Sequence, residues 1–189
     1  IGHVQRVIKN ALELVSVTGA NPNMVYVSAA YHDLGMEGPR AIHHITSGKI
    51  LAADARLKKW FSTEQLRIMK EAVEDHRASS SRVPRSIYGK IVAEADRELD
   101  FNIVFSRTVL YGLENYPEKN KEEQWERFNH HINEKYGRKG YIRLWIPNSP
   151  NAKKLEVIRE LISRQSELRK IFDELYNELF KQSEQKHIQ

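Results

Sequence analysis

The sequence contains no cysteine among its 189 residues. This absence excludes disulfides, thiolate metal sites and a cysteine nucleophile. The sequence also lacks an apolar run long enough to cross a membrane, and it lacks a signal-peptide pattern. We therefore expect a cytoplasmic protein that has no membrane partner.

Neither sign of charge dominates the sequence. The chain has 30 Lys and Arg residues against 25 Asp and Glu residues, a net charge of +5, and the two signs are mixed throughout. Trp60, Trp125 and Trp145 are scattered rather than set in a basic stripe, which argues against a nucleic-acid partner. The apolar fraction of 40% and the charged fraction of 29% are typical of a globular domain with a hydrophobic core.

Apolar residues recur at helical spacing along most of the chain, which predicts an all-α fold. Asn21 followed by Pro22 predicts the start of one helix, and Ser62 with Gln65 predicts a capping box at the start of another. Helical periodicity resumes over residues 87–113, with a bend near Asp100. Residues 141–147 are consistent with either a short strand or an extended packing segment.

Histidines and aspartates that could bind a metal lie in separate predicted helices. The adjacent pair His32-Asp33 closes an apolar helix, and the other candidates are His3, His44, His76 and Asp96. Side chains that point inward from several helices are the usual way in which helical bundles build metal sites. Neighbours in a regular helix point about 100° apart, so His32 and Asp33 can share one ion only if the helix end relaxes or lies at a helix crossing. Gly35 favours a relaxed end.

Three short sequence motifs show a family resemblance. They are, in order, GHVQRVIKNAL, AAYHDLG and VAEADRELD. Together they resemble the HD-domain superfamily, whose signature is His, then His-Asp, then Asp. The resemblance covers about residues 2–100 and implies a multi-helix HD core. We place this core at residues 1–115 and expect residues 116–189 to form a helical extension packed on it.

The resemblance also implies a ligand set. His3, His32, Asp33 and Asp96 correspond to the residues that hold the main divalent ion. His44 and His76 correspond to two extra histidines of some branches, which either bind a second ion bridged by Asp33 or contact a phosphate or leaving group. The spacing to Gly48-Lys49 favours His44 over His43, which we expect to point elsewhere. This donor set suits Mn, Fe, Co, Ni, Zn or Mg and leaves the number of ions, one or two, open.

The usual chemistry of the superfamily is phosphohydrolysis, so the resemblance implies an enzyme that hydrolyses a small phosphorylated metabolite or nucleotide with metal-activated water. Asp33, His44 and His76 are the expected catalytic residues. Basic residues close to them could bind substrate phosphate; these are Lys49, Arg77 and Arg85, with Arg82 in the same loop. The branch that cleaves cyclic dinucleotides has lysine at the position of Gly35, and it has a later Gly-Tyr-Pro motif that is absent here. We therefore do not assign that activity.

Two other functions remain open. Some members of the superfamily, such as inositol oxygenase, hold two irons with a six-ligand His and Asp set that this chain can also supply. A non-catalytic helical binding module, in which the C-terminal half docks a partner, is the other alternative. Core packing is the expected role of the last helix, although its continuation could also form a homodimer contact.

Overall fold

A computed structural model of the protein describes residues 2–78 and 82–187, with side chains up to residue 182. Within these residues the chain forms nine α-helices, three short 3-10 helices and no strand, which confirms the predicted all-α class. The α-helices are α1 (Gly2–Thr18), α2 (Pro22–Tyr31), α3 (His43–Ala53), α4 (Thr63–Glu74), α5 (Ile87–Ala95), α6 (Phe101–Asn115), α7 (Lys121–Tyr136), α8 (Pro150–Ser163) and α9 (Gln165–His187). The 3-10 helices are Leu34–Glu37, Arg40–Ile42 and Ala55–Lys59.

The described chain divides into two compact units. The first unit comprises Ile1–Arg97 together with Arg143–Ser149, and the second comprises Glu98–Ile142 together with Pro150–Gln189. The predicted boundary after residue 115 falls at the end of α6, inside the second unit. Among the described helices, none has both the length and the apolar composition that a bilayer span requires.

The helices of the first unit begin where local side-chain chemistry predicts. The Asn21 side chain accepts hydrogen bonds from two backbone N–H groups of the first turn of α2, and Pro22 occupies the first helical position. Ser62 and Gln65 form the expected reciprocal capping box of α4. Both predicted helix starts are confirmed.

The core of the first unit is built from α1, α2, α4 and α5. One apolar cluster joins α1, α2 and α5 and includes Val7, Val25 and Ile91, each of which is fully buried. A second cluster, with Met69 and Val73 of α4, lies against α2 and α3. This packing fixes the ends of four helices relative to one another, and the polar candidate residues lie at those ends.

The segment at residues 143–149 belongs to the first unit and contains no strand. Its anchor is Glu94 of α5, which is fully buried and whose Oε2 accepts hydrogen bonds from the backbone N–H groups of Trp145 and Ile146, both at 3.0 Å. Ile146 is 5% exposed and joins the cluster around α1. Of the two alternatives for this segment, the structure has the extended packing segment.

The second unit has an aromatic core supplied by α6, α7 and α9. Phe105, Phe128 and Phe172 are fully buried, and the ring of Phe128 lies 5.5 Å from Phe105 and 5.3 Å from Phe172 between centroids. Trp125 stacks on Phe128 at 5.9 Å. Such tilted and offset ring pairs add to the stabilisation that comes from burial alone.

Candidate metal centre

The end of α2 positions the central pair. α2 ends at Tyr31; His32 still has helical dihedral angles, but Asp33 has φ −111° and ψ 8°. This change of backbone conformation removes the strict 100° offset between neighbouring side chains, so both residues can face the same space. The relaxed helix end that the sequence predicted is confirmed.

Gly35 allows α3 to approach this helix end. Its N–H donates to Ser47 Oγ at 2.9 Å, and a Cβ atom at position 35 would lie 2.4 Å from the backbone oxygen of His43. Such a distance is far inside van der Waals contact, so only glycine permits this approach. The consequence is that the first turn of α3 lies directly beside Asp33.

The first cluster of donor atoms joins α1, the end of α2 and the end of α5. His3 Nε2 lies 3.2 Å from His32 Nε2, 3.3 Å from Asp33 Oδ2 and 3.2 Å from Asp96 Oδ1. His32 Nε2 lies 3.4 Å from Asp33 Oδ2 and 3.7 Å from Asp96 Oδ1. Donors that share one cation at about 2.0–2.2 Å lie about 3–3.5 Å apart, so this spacing fits a metal ion.

The second cluster joins Asp33 to α3 and to the residues that follow α4. His43 Nε2 lies 3.1 Å from His76 Nε2, and these two nitrogens lie 3.5 Å and 3.6 Å from Asp33 Oδ1. Asp33 therefore directs Oδ2 to the first cluster and Oδ1 to the second. If each cluster held a cation, Asp33 would be a ligand of both.

Backbone carbonyls fix the tautomers of three of the histidines. Nδ1 donates to the carbonyl three residues earlier in each case: His32 to Ala29 at 2.7 Å, His43 to Arg40 at 2.8 Å and His76 to Val73 at 2.6 Å. A carbonyl can only accept, so the neutral rings present a lone pair at Nε2. The Nε2 lone pairs of His43 and His76 face each other at 3.1 Å, and a shared cation or a proton on one ring would relieve their repulsion. The donors present thus fit a divalent metal.

A comparison with protein families decides the classification. The model of the HD domain family matches residues 1–99, just over half of the chain. The chain belongs to the HD-domain family. HD domains bind divalent metals, and the family consists mostly of metal-dependent phosphohydrolases. Searches of curated proteins and of solved structures gave no match.

The electrostatics of the HD site favour positive charge at the first cluster. Hydrogen bonds to Asp33 and then to Asp96 raise the pKa of His3 to about 9. Burial raises the pKa of Asp33, but hydrogen bonds from His3 and His32 outweigh burial and hold that pKa well below its usual range. The pKa of Asp96 is lowered in the same way against the effect of burial. The carboxylates therefore stay ionised, which is the state that a metal ligand needs.

The structure corrects one residue of the predicted HD ligand set. His43, and not His44, joins Asp33 and His76. The reason is the 3-10 helix Arg40–Ile42, which starts α3 at His43 and supplies the carbonyl that orients its ring. Sequence spacing gave no sign of this short helix. The other predicted ligands, namely His3, His32, Asp33, Asp96 and His76, all lie in the two clusters.

His44 lines a pocket of about 610 Å³ on the first unit instead. Its Nδ1 is buried and has no hydrogen-bond partner among the described residues. Burial lowers the pKa of His44, and electrostatic interaction with the neighbouring His76 and His43 lowers it further. The pocket begins beside the second cluster, because His44 follows His43 and Arg77 follows His76. Its charged lining residues are Glu74, Asp75, Arg77, Arg82 and Arg85.

The three basic residues predicted to bind substrate differ in their surroundings. Arg77 donates to the carbonyl of Ala41, which holds it at the pocket edge. Arg85 forms ion pairs of 2.9 Å with both Glu74 and Asp75, so two carboxylates already neutralise it. Lys49 is exposed and does not line the pocket. Arg77 is therefore the best placed of the three, and Arg82, in the described part of the same loop, also lines the pocket.

Proposed function

We propose that this HD protein is a metal-dependent phosphohydrolase that acts on a small phosphorylated metabolite or nucleotide and uses two divalent ions. The observation that carries the proposal is the position of Asp33, whose two oxygens face two separate groups of histidines. A basic pocket adjoins the second group. A phosphorylated substrate matches both features, because phosphoryl oxygens bind metal ions and arginines alike.

The roles of the residues follow from their positions. His3, His32 and Asp96 would hold one ion, His43 and His76 the other, and Asp33 would bridge them. Bound divalent ions lower the pKa of a bound water molecule and neutralise phosphoryl oxygens as charge develops. Arg77 and Arg82 would orient the substrate from the pocket, which His44 also lines.

The pocket also separates the proposal from the alternatives. A di-iron oxygenase would use the same four histidines and two aspartates, but the pocket lining includes Arg77 and Arg82 in addition to Arg85, which Glu74 and Asp75 neutralise. Such a lining suits an anionic substrate better than a neutral one. Six converging donors around buried histidines also argue against a binding module without metal, since buried polar groups are costly unless they are paired.

The proposal is tested by loading the purified protein with Mn²⁺ or Fe²⁺ and offering a panel of phosphorylated compounds. We expect release of phosphate or pyrophosphate without O₂ uptake. Oxygen consumption with iron and no phosphate release would establish the oxygenase instead. A metal-loaded protein that is inactive in both assays would contradict an enzymatic role.

Asp33→Ala is the decisive variant in this assay. Loss of an outer-shell partner already costs about 10–100-fold in metal affinity or activity, so loss of the shared ligand should cost more than about 100-fold and remove both ions. The matched control is Asp54→Ala, because Asp54 lies in the same unit and binds Tyr31 at 2.6 Å but belongs to neither cluster. This control should keep its metal and activity.

A further inference from the structure

Arg97 is a buried arginine that neither the ligand set nor the pocket accounts for. It follows Asp96 directly, just after the end of α5, and it is 8% exposed. A buried guanidinium is costly unless its charge and its N–H groups find partners. Its position beside a predicted metal ligand therefore calls for a closer look at its contacts.

One nitrogen of Arg97 connects the two clusters. Nη1 donates to the backbone carbonyl of His76 at 3.1 Å and lies 3.5 Å from Asp96 Oδ2. Each Nη atom of arginine carries two hydrogens, so it can serve both acceptors. His76 belongs to the second cluster and Asp96 to the first.

The two carboxylate oxygens of Asp96 have different partners. Oδ2 faces Arg97, whereas Oδ1 lies 3.2 Å from His3 Nε2 and 3.7 Å from His32 Nε2. A guanidinium on one side keeps the carboxylate ionised and favours the rotamer that points the other oxygen at the histidines. Without it, the carboxylate could rotate.

The contact with His76 is made to its backbone carbonyl and not to its side chain. His76 lies beyond α4, which ends at Glu74, so no continuing helix supplies a donor for its carbonyl. Arg97 supplies that donor, while the imidazole Nδ1 of His76 donates to Val73. The direction of the His76 ring is therefore fixed at both its backbone and its side chain.

We propose that Arg97 is a positioning residue that holds Asp96 and His76 together, so that the metal affinities of both clusters depend on one side chain. This inference rests on the proposed two-ion site. Loss of an outer-shell partner typically costs about 10–100-fold in metal affinity. Arg97→Met, which removes the donors and keeps much of the volume, should weaken both Mn²⁺-binding steps by about tenfold or more.

The test is a calorimetric Mn²⁺ titration of the wild-type protein and three variants. Arg97→Lys keeps the charge but not the planar fork, so both of its binding steps should lie between wild type and Arg97→Met. The matched control is Arg127→Met in the second unit. Arg127 is a half-buried arginine that donates to the carbonyl of Thr108 and to Gln124 Oε1, and it contacts neither cluster. Its loss should lower thermal stability and leave Mn²⁺ affinity unchanged.

The outcomes separate the two proposals. A wild-type protein that binds no Mn²⁺ overturns the metal centre and this inference together. If wild type binds Mn²⁺ and Arg97→Met binds it equally well, or loses only one step, only the role of Arg97 is overturned. An equal loss of affinity in Arg127→Met also overturns it. Should Arg97→Met fail to fold, wild-type affinity of Arg97→Lys in either step overturns it.

Discussion

The two units of this protein bury different kinds of side chain. The first unit buries ionisable groups, namely His32, His76, Glu94 and Arg97. The second unit buries a cluster of aromatic rings centred on Phe128. Among the described residues, every buried histidine, aspartate, glutamate or arginine lies in the first unit.

This difference predicts which kind of change will affect each unit. Buried ionisable groups cost free energy unless they are paired, so we expect the stability of the first unit to depend on bound metal. Buried aromatic rings stabilise through area and packing and need no ligand. The second unit should therefore respond to changes in packing, and the first to metal.

The aromatic cluster should show the greatest loss of stability for a single side-chain truncation. Phe128→Ala removes the ring that contacts Phe105, Trp125 and Phe172, and such truncations cost about 3–5 kcal/mol. Chemical denaturation checks this value. Mn²⁺ affinity, measured well below the unfolding temperature, should stay at the wild-type level, and a parallel loss of affinity would remove the distinction between the units.

Removal of metal should destabilise the first unit and leave the second unit unchanged. A ligand present at 100 times its dissociation constant stabilises the folded state by about 2.7 kcal/mol per site. A chelator should therefore speed amide hydrogen exchange in the first unit, around α1–α5, and leave α6–α9 unchanged. Equal acceleration in both units would show that metal does not act on the first unit alone.

The two adjacent histidines of α3 should have different roles in the first unit. His43→Ala should abolish one of two Mn²⁺-binding steps, because His43 Nε2 faces His76 and Asp33. His44→Ala should keep both steps and raise KM about two- to tenfold, the worth of one hydrogen bond. Metal titration with steady-state kinetics separates them, and loss of an ion in His44→Ala would reverse the assignment.

The smallest expected effect comes from two matched capping boxes. Ser62 caps α4 in the first unit and Asn120 caps α7 in the second, each with a reciprocal partner three residues later. Replacement of either by alanine should cost about 1 kcal/mol. Thermal denaturation should give similar losses in both variants, with Mn²⁺ affinity unchanged. A loss of affinity in Ser62→Ala alone would mean that the start of α4 controls the position of His76.

Local rules predicted much of the fold. Helical periodicity, the Asn21 cap and the Ser62 capping box depend on neighbouring residues, and the structure confirms each of them. The helical pattern predicted across residues 87–113, with a bend near Asp100, forms two helices, since α5 ends at Ala95 and Asp100 caps a new helix, α6. Periodicity continues through such a break, because both helices bury apolar faces.

The candidate site was only partly predictable, for a physical reason. The residues that match the signature, such as His32 and Asp96, could be named from sequence words alone. The choice between His43 and His44 depends on the short 3-10 helix Arg40–Ile42 and on the close approach at Gly35. Arg97 was missed because its partners, the His76 carbonyl and Asp96 Oδ2, meet only through tertiary packing.

The most direct test is a crystal grown with Mn²⁺ and an anomalous difference map. We expect two peaks about 3.5–4 Å apart, one among His3, His32 and Asp96 and one between His43 and His76, with an oxygen of Asp33 on each ion. A single peak, or an Asp96 carboxylate turned away from His3, would contradict the account.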